Sequence, residues 1–252
     1  MNRTRTAAPP VSSALAALLK TTPARLAVGR VGPRLRTATA LAFAADHARA
    51  RDAVMTEVPA AFVRKVGLTE LATRAATRAD YTRQPLLGRT LAPTAHKRLR
   101  RCRQRPTVQL ALADGLSPAA ILVNGSTLLR ALTRLLRQRR HRLGTPLFIR
   151  NGRVRVQDEI GAIVRPEVFC LIVGERPGLA TAESLSAYVL FHPSRQSAEP
   201  DRSVISNIHE GGLPPARAAR VITDLITRIL QRRASGAALA AAESGAARGR
   251  TP

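Results

Sequence analysis

Three short stretches of this chain carry residue types that could meet a ligand. Ala113-Asp114-Gly115-Leu116-Ser117 sets a glycine just before a helix start, where backbone can approach a ligand closely and free N–H groups favour a phosphate or another acceptor. Gly174-Glu175-Arg176-Pro177-Gly178 holds a charged pair between glycines, a suitable frame for a ligand-facing carboxylate. The third is Ser203-Val204-Ile205-Ser206-Asn207-Ile208, followed by His209 and Gly211-Gly212. Taken alone, each reads first as a structural turn. No G-x-G-x-x-G, Walker A or nucleophile-elbow sequence accompanies them. Cys102 and Cys170 give neither a disulfide framework nor a zinc spacing, and Cys170, inside an apolar run, reads as a small buried hydrophobe. The residues therefore describe a binding domain with no catalytic residue and no metal ligand of its own.

The elements that must position these loops are legible from periodicity. Val108–Ala113 is a short apolar strand ending in the turn Asp114-Gly115; Ser117 and Pro118 then read as N-cap and N1 of a helix over Ala119–Arg140. Pro146–Arg150, Leu185–Phe191 and Ser203–Ile208 are further strands, and Val168–Val173 is a continuous apolar run expected to be a buried parallel strand. Pro214 and Pro215 open a helix through Arg233. Such alternation predicts an α/β fold with a Rossmann-like open, mostly parallel sheet flanked by helices, in which ligands bind at the carboxyl ends of the strands.

Upstream, an N-terminal helical region is expected. Leu41–Val58 places Phe43, His47, Val54 and Val58 on one helical face, with Asp46, Arg49 and Asp52 in i,i+3 pairs on another. His47 among apolar residues reads as an interior or interface imidazole, not a base. Leu68–Tyr81 reads as a further helix and Gln84–Leu91 as a loop. Ser12 or Ser13 can cap a short helix carrying Val11, Leu15, Leu18 and Leu19. The expected divisions are a basic arm over 1–36, a helical region over 37–105, the sheet domain over 106–233 and a disordered tail over 234–252.

Composition limits the function classes. With 252 residues and 45% hydrophobic content the chain can bury a core. Its longest apolar runs fall far short of the roughly 20 residues that span a bilayer, so no membrane role is expected. Lys and Arg total 41 against 16 acidic residues, a net charge of +25. That suggests a polyanion partner. However, the lysines are only Lys20, Lys65 and Lys97, and the Arg, Ala, Gly and Pro excess resembles the bias of a GC-rich coding sequence. Aromatic residues make up 3%, too few for base-stacking platforms, and no finger or RNA-binding motif is present. No specific nucleic acid is expected. The competing reading is a basic interaction protein of α/β fold binding nucleic acid or a scaffold.

An ordered set of tags carries a resemblance. Asp46–Val54 (DHARARDAV), Ala113–Ser117 (ADGLS), Gly152–Val154 (GRV), Asp158–Gly161 (DEIG), Gly174–Leu179 (GERPGL) and Ser206–Ile208 (SNI), with the Tyr81–Leu91 stretch, resemble the small subunit, or light chain, of ethanolamine ammonia-lyase over roughly Arg25 to Arg233. The resemblance implies an adenosylcobalamin-dependent lyase converting ethanolamine to acetaldehyde and ammonia. The large subunit, a TIM-type barrel, runs the radical chemistry and the small subunit completes the cobalamin site at the interface. Carried onto this sequence, the family's cobalamin contacts fall on Val154, Glu175 and Val204, the last standing where the family has a cysteine. The domain over 106–233 is thus implied to be the cobalamin-contacting one. A cytoplasmic location is implied, with the bacterial microcompartment as a further destination, because Val11–Leu19 resembles the short amphipathic encapsulation helices of such cargo enzymes.

Overall fold

In the computed structural model, which describes residues 12–22 and 24–248, the chain divides into two compact units at Arg49 and Ala50. The first unit opens with a helix, Ser13–Thr21, capped by Ser12, whose hydroxyl accepts from Leu15 N at 3.2 Å. None of its residues is buried, and Val11 lies outside the described residues. A short hairpin of β1 (Arg30–Val31) and β2 (Arg34–Leu35) follows. The next helix, Thr37–Met55, starts earlier than expected and stops before Val58, because Pro59 fixes an extended approach to the following helix, Ala60–Val66. Asp46 pairs with Arg49 and with Arg25. His47 is exposed in this chain, not an interior imidazole.

The second unit is built on one six-stranded sheet in the order β3-β5-β4-β6-β7-β8. Its strands are β3 (Thr69–Ala72), β4 (Val108–Ala113), β5 (Leu147–Arg150), β6 (Val168–Gly174), β7 (Leu185–Phe191) and β8 (Ser203–Ile208). The first four are mutually parallel; β7 runs antiparallel to β6, and β8 antiparallel to β7. Every residue of β4 and β6 is buried, as central strands covered on both faces require, and the one polar side chain among them, Gln109, donates to Thr145 O at 2.7 Å. Side chains alternate between two cores. Leu110, Leu112, Cys170 and Ile172 pack on one face with helices Pro118–Gln138 and Pro215–Arg232, while Ala111, Ala113, Leu171 and Val173 pack on the other with helices Pro93–Arg101 and Val156–Val164. Among the described residues Pro118–Gln138 is the one helix long and apolar enough to cross a membrane. Its Ile121, Leu128, Leu132 and Leu136 are wholly buried in this core.

The connections place the ligand end. From β4 the chain crosses one face to β5, and from β5 it crosses the other face to β6 on the far side of β4. Neighbouring strands thus send their chains in opposite directions, and a crevice opens at the carboxyl ends of β4 and β6.

The structure differs from three expectations. The expected helix Leu68–Tyr81 is instead the edge strand β3 followed by a helix at Arg78–Arg83. Parallel pairing of Thr69–Ala72 with β5 buries Leu71 completely, and this outweighs local helix propensity. Thr77 then starts the helix through a reciprocal cap with Asp80. The expected tail is helical over Gly236–Arg248. Its alanine run favours helix, Leu239 is buried, and Arg228 pairs with Glu243 at 3.0 Å. The strand β3 also means that the region over 37–105 contributes to the sheet and is not purely helical.

Candidate functional site

The crevice holds a cleft of about 480 Å³. Its lining comes from the carboxyl ends of three parallel strands and from the antiparallel pair beyond them: Leu116 after β4, Arg153 and Val154 after β5, Glu175 and Arg176 after β6, with Ser186, Tyr188 and Ser206 from β7 and β8. Val154 and Glu175, from separate tags, therefore meet in one cavity.

Close backbone approach makes this possible. Gly115 adopts a left-handed φ of +56°, and a Cβ there would lie 2.3 Å from Gly174 O. A Cβ on Gly174 would in turn lie 2.2 Å from Ser117 O. Only two glycines let the loops after β4 and β6 touch. Ser117 caps its helix as expected, accepting from Ala120 N at 3.1 Å and donating to Ala182 O. Ser117 and Pro118 are buried, so Leu116, not a free helix N-terminus, faces the cleft.

Glu175 is held in place by its neighbours. Oε1 accepts from Asn207 N at 3.0 Å and from Ser186 Oγ. Ser186 Oγ also lies 3.1 Å from Ser206 Oγ. One hydroxyl proton serves one partner, and the carboxylate is the stronger acceptor, so Ser206 donates to Ser186. Among the described residues Glu175 has no ion pair, with Arg176 or any other cation, and Oε2 accepts no hydrogen bond. One carboxylate oxygen is fixed and the other remains available to a ligand N–H.

The opposite wall rests on a buried charge network. Asp114, 1% exposed, accepts from Asn151 N at 3.0 Å and Gly152 N at 3.2 Å, so the end of β4 grips the loop that carries Val154. Burial pushes Asp114 up to about 6, against the pull of these N–H groups and of Arg78. Arg78, 4% exposed, lies 3.9 Å from Asp114 and donates to Asn151 Oδ1 (3.1 Å), Gly115 O (3.0 Å) and Val54 O (2.7 and 3.0 Å). Both Arg78 and Arg153 lie over the Tyr81 ring, at 4.6 and 4.3 Å. Burial lifts the Tyr81 hydroxyl to about 12, keeping it neutral.

Val204 stands apart from the lining. It is 47% exposed and pairs across the ladder with Tyr188, at the rim of the cleft. His209, which follows the same strand, belongs to a turn: its Nδ1 accepts from Gly211 N at 3.2 Å, which leaves Nε2 to donate to Asn207 Oδ1 at 2.8 Å. Sequence reasoning saw Asp114 only as a turn residue and missed Arg78, Arg153, Ser186 and Tyr188. Arg153 was findable, being the middle residue of the Gly-Arg-Val tag. Arg78 carries no signal among so many arginines. Among the described residues no group of three or more His, Cys, Asp or Glu is placed to hold a metal ion.

The open, mostly parallel sheet flanked by helices, with a ligand-sized cleft at its carboxyl end, defines a protein of the α/β class. The family model for the ethanolamine ammonia-lyase light chain (EutC) matches residues 12–240, and the chain belongs to that family. It is thus one subunit of a lyase.

Proposed function

We propose that this light chain supplies one wall of an adenosylcobalamin site closed by a large subunit, within an enzyme that converts ethanolamine to acetaldehyde and ammonia. The observation that carries the reading is the convergence of Val154 and Glu175 on one cleft. The donor set fits the cofactor. A corrin edge is apolar and bears carboxamides that both donate and accept. Leu116, Val154 and Tyr188 suit the apolar edge, Glu175 Oε2 accepts from amide N–H, and Arg153 and Arg176 donate to amide oxygens. A cleft of about 480 Å³ takes an edge of such a molecule, not the whole, which calls for a second protein surface.

When bound, the cofactor supplies a cobalt–carbon bond whose homolysis starts the radical chemistry. This chain's residues bind and orient. Glu175 is preset by Ser186 and Asn207, so little side-chain freedom is lost on binding. Leu116, Val154 and Tyr188 keep water from the contacted edge. No residue here abstracts a hydrogen or handles the substrate. The complex works in the cytoplasm, and the exposed helix Ser13–Thr21 is the segment that would address it to a microcompartment.

The test is Glu175→Ala in the complex with its large subunit, titrated with adenosylcobalamin and read by absorbance. Loss of charge-assisted hydrogen bonds of about 1.5–3 kcal/mol weakens binding by about tenfold to a hundredfold. Melting and the maximum rate at saturating cofactor change little. Unchanged cofactor affinity removes Glu175 from the site.

A further inference from the structure

We infer that the amino end of the same sheet is a docking surface for the phosphate backbone of a nucleic-acid duplex, engaged without regard to sequence. This end lies opposite the cleft, and the proposed lyase role makes no use of it.

Segments far apart in sequence are brought together here. Arg103 N donates to Thr145 Oγ1 at 3.1 Å, Arg103 Nη1 to Leu143 O at 3.2 Å, Arg142 Nη2 to Arg105 O at 3.2 Å, and Val108 N to Arg142 O at 3.1 Å. Arg105 N reaches Val164 O at 2.8 Å, which brings in the end of the helix before β6. The result is a continuous cationic surface. Arg98, Arg100, Arg101, Arg103 and Arg105 come from the first segment, Arg137, Arg140 and Arg142 from the second, and Arg165 from the third. All are exposed, and among the described residues none lies within 4.0 Å of a carboxylate. Glu167, near His141, and Glu70, whose main-chain carbonyl accepts from Arg98 Nη1 at 2.8 Å, are acidic residues at this end.

Two concavities mark the surface. Arg100, Arg105 and Arg165 line one of about 490 Å³, and Arg103, Arg137 and Arg142 line another of about 390 Å³. Guanidinium groups in such recesses present paired donors matched to phosphate oxygens and stay charged at every physiological pH.

The surface also says which polyanion fits. Among the described residues, none of the exposed large hydrophobics, such as Met55, Leu86 or Val221, belongs to these segments. A folded acidic protein docks around a buried apolar centre, and none is offered here. His141 is the one ring in them and no Phe, Tyr or Trp accompanies it, so unpaired bases find no run of stacking platforms. A duplex, with its regular phosphate rows and its bases hidden, asks only for spaced cations.

The full-length chain is tested by fluorescence anisotropy with a short labelled duplex of mixed sequence across a salt series. Each phosphate neutralised contributes about −0.9 to the log–log salt slope. Arg100→Gln/Arg105→Gln/Arg165→Gln removes one recess, and none of these side chains donates a hydrogen bond that holds the fold. The slope becomes shallower by about two to three, and affinity at low salt falls by at least tenfold. Arg217→Gln/Arg220→Gln/Arg232→Gln, an equal charge change on the helix Pro215–Arg232, leaves the slope unchanged. Arg137→Gln/Arg140→Gln repeats the test should the first variant fail to fold. Equal losses in the recess and helix variants show diffuse charge and overturn the inference. So does displacement of the duplex by an acidic polypeptide at lower charge concentration, which gives the surface to a protein.

Discussion

At the carboxyl end of the sheet, Arg78 is 4% exposed and spends its guanidinium on three backbone carbonyls or side-chain oxygens and a facing carboxylate; at the amino end, nine arginines are exposed and, among the described residues, none has a carboxylate within 4.0 Å. The same residue type does opposite work. A buried cation must be fully compensated, so Arg78 is committed to shaping the cleft. An exposed cation is already solvated and can exchange water for an incoming anion. Net charge alone conceals this division, because the +25 sums both populations.

The sharpest way to break the comparison is Arg78→Ala. It strands Asp114 in the interior and releases Asn151, Gly115 and the main chain at Val54. Removing one member of a buried pair costs about 3–5 kcal/mol. For a chain of this size that lowers the melting temperature by about 2–4 °C per kcal/mol. The same change at Arg100, exposed and unpaired, stays within about 0.5 kcal/mol. Urea unfolding of both variants checks the contrast. Similar small losses would mean that the buried network is not a support of the cleft.

A second variant sharpens it through pH. Burial raises Asp114 from 3.8 to about 6 in the folded chain. Between those values the folded state holds more of the proton than the unfolded state does. Stability therefore falls as pH rises from about 4 to 6, by on the order of 2–3 kcal/mol from this group, and is flat above that range. Asp114→Asn carries no such proton, so its stability profile loses that descent. Asp158, also raised by burial, keeps a smaller descent of the same sign in both proteins. Unfolding free energies measured across this pH range decide the matter. A variant as steep as the parent would assign the slope elsewhere.

The legible and illegible parts of the molecule divide by the range of the forces involved. β4, β6 and β7 were readable because they are short, mostly apolar local runs, unbroken in Val168–Val173, and because β4 ends at the turn Asp114-Gly115. The Ser117 cap and Pro118 start were readable because capping acts within one helical turn. β3 was not, since Thr69–Ala72 becomes a strand only by pairing with β5 nearly eighty residues later. In the site, tags placed Val154 and Glu175, but the Arg78–Asp114 support depends on three-dimensional proximity across 36 residues of sequence and leaves no local pattern. Ser186 and Asn207 likewise reach Glu175 only once β7 and β8 have paired.

The smallest expected effect belongs to Val204. The family resemblance places a cofactor contact here, with valine standing for cysteine. Valine keeps the apolar contact and loses a weak S–H donor. Its position argues that the donor matters little: the residue is 47% exposed on an edge strand, paired with Tyr188 at the rim, while Glu175 sits inside the lining. A rim hydrogen bond competes with water and nets little. Val204→Cys in the assembled complex should therefore change adenosylcobalamin affinity by less than about threefold, well under the Glu175→Ala effect. It should also destabilise the fold by less than about 1 kcal/mol, the scale of one cross-strand pair. A gain of tenfold or more in affinity would show that a sulfhydryl at this position bonds the cofactor directly. The rim would then join the lining as a determinant of binding, and the valine here would mark a weakened site.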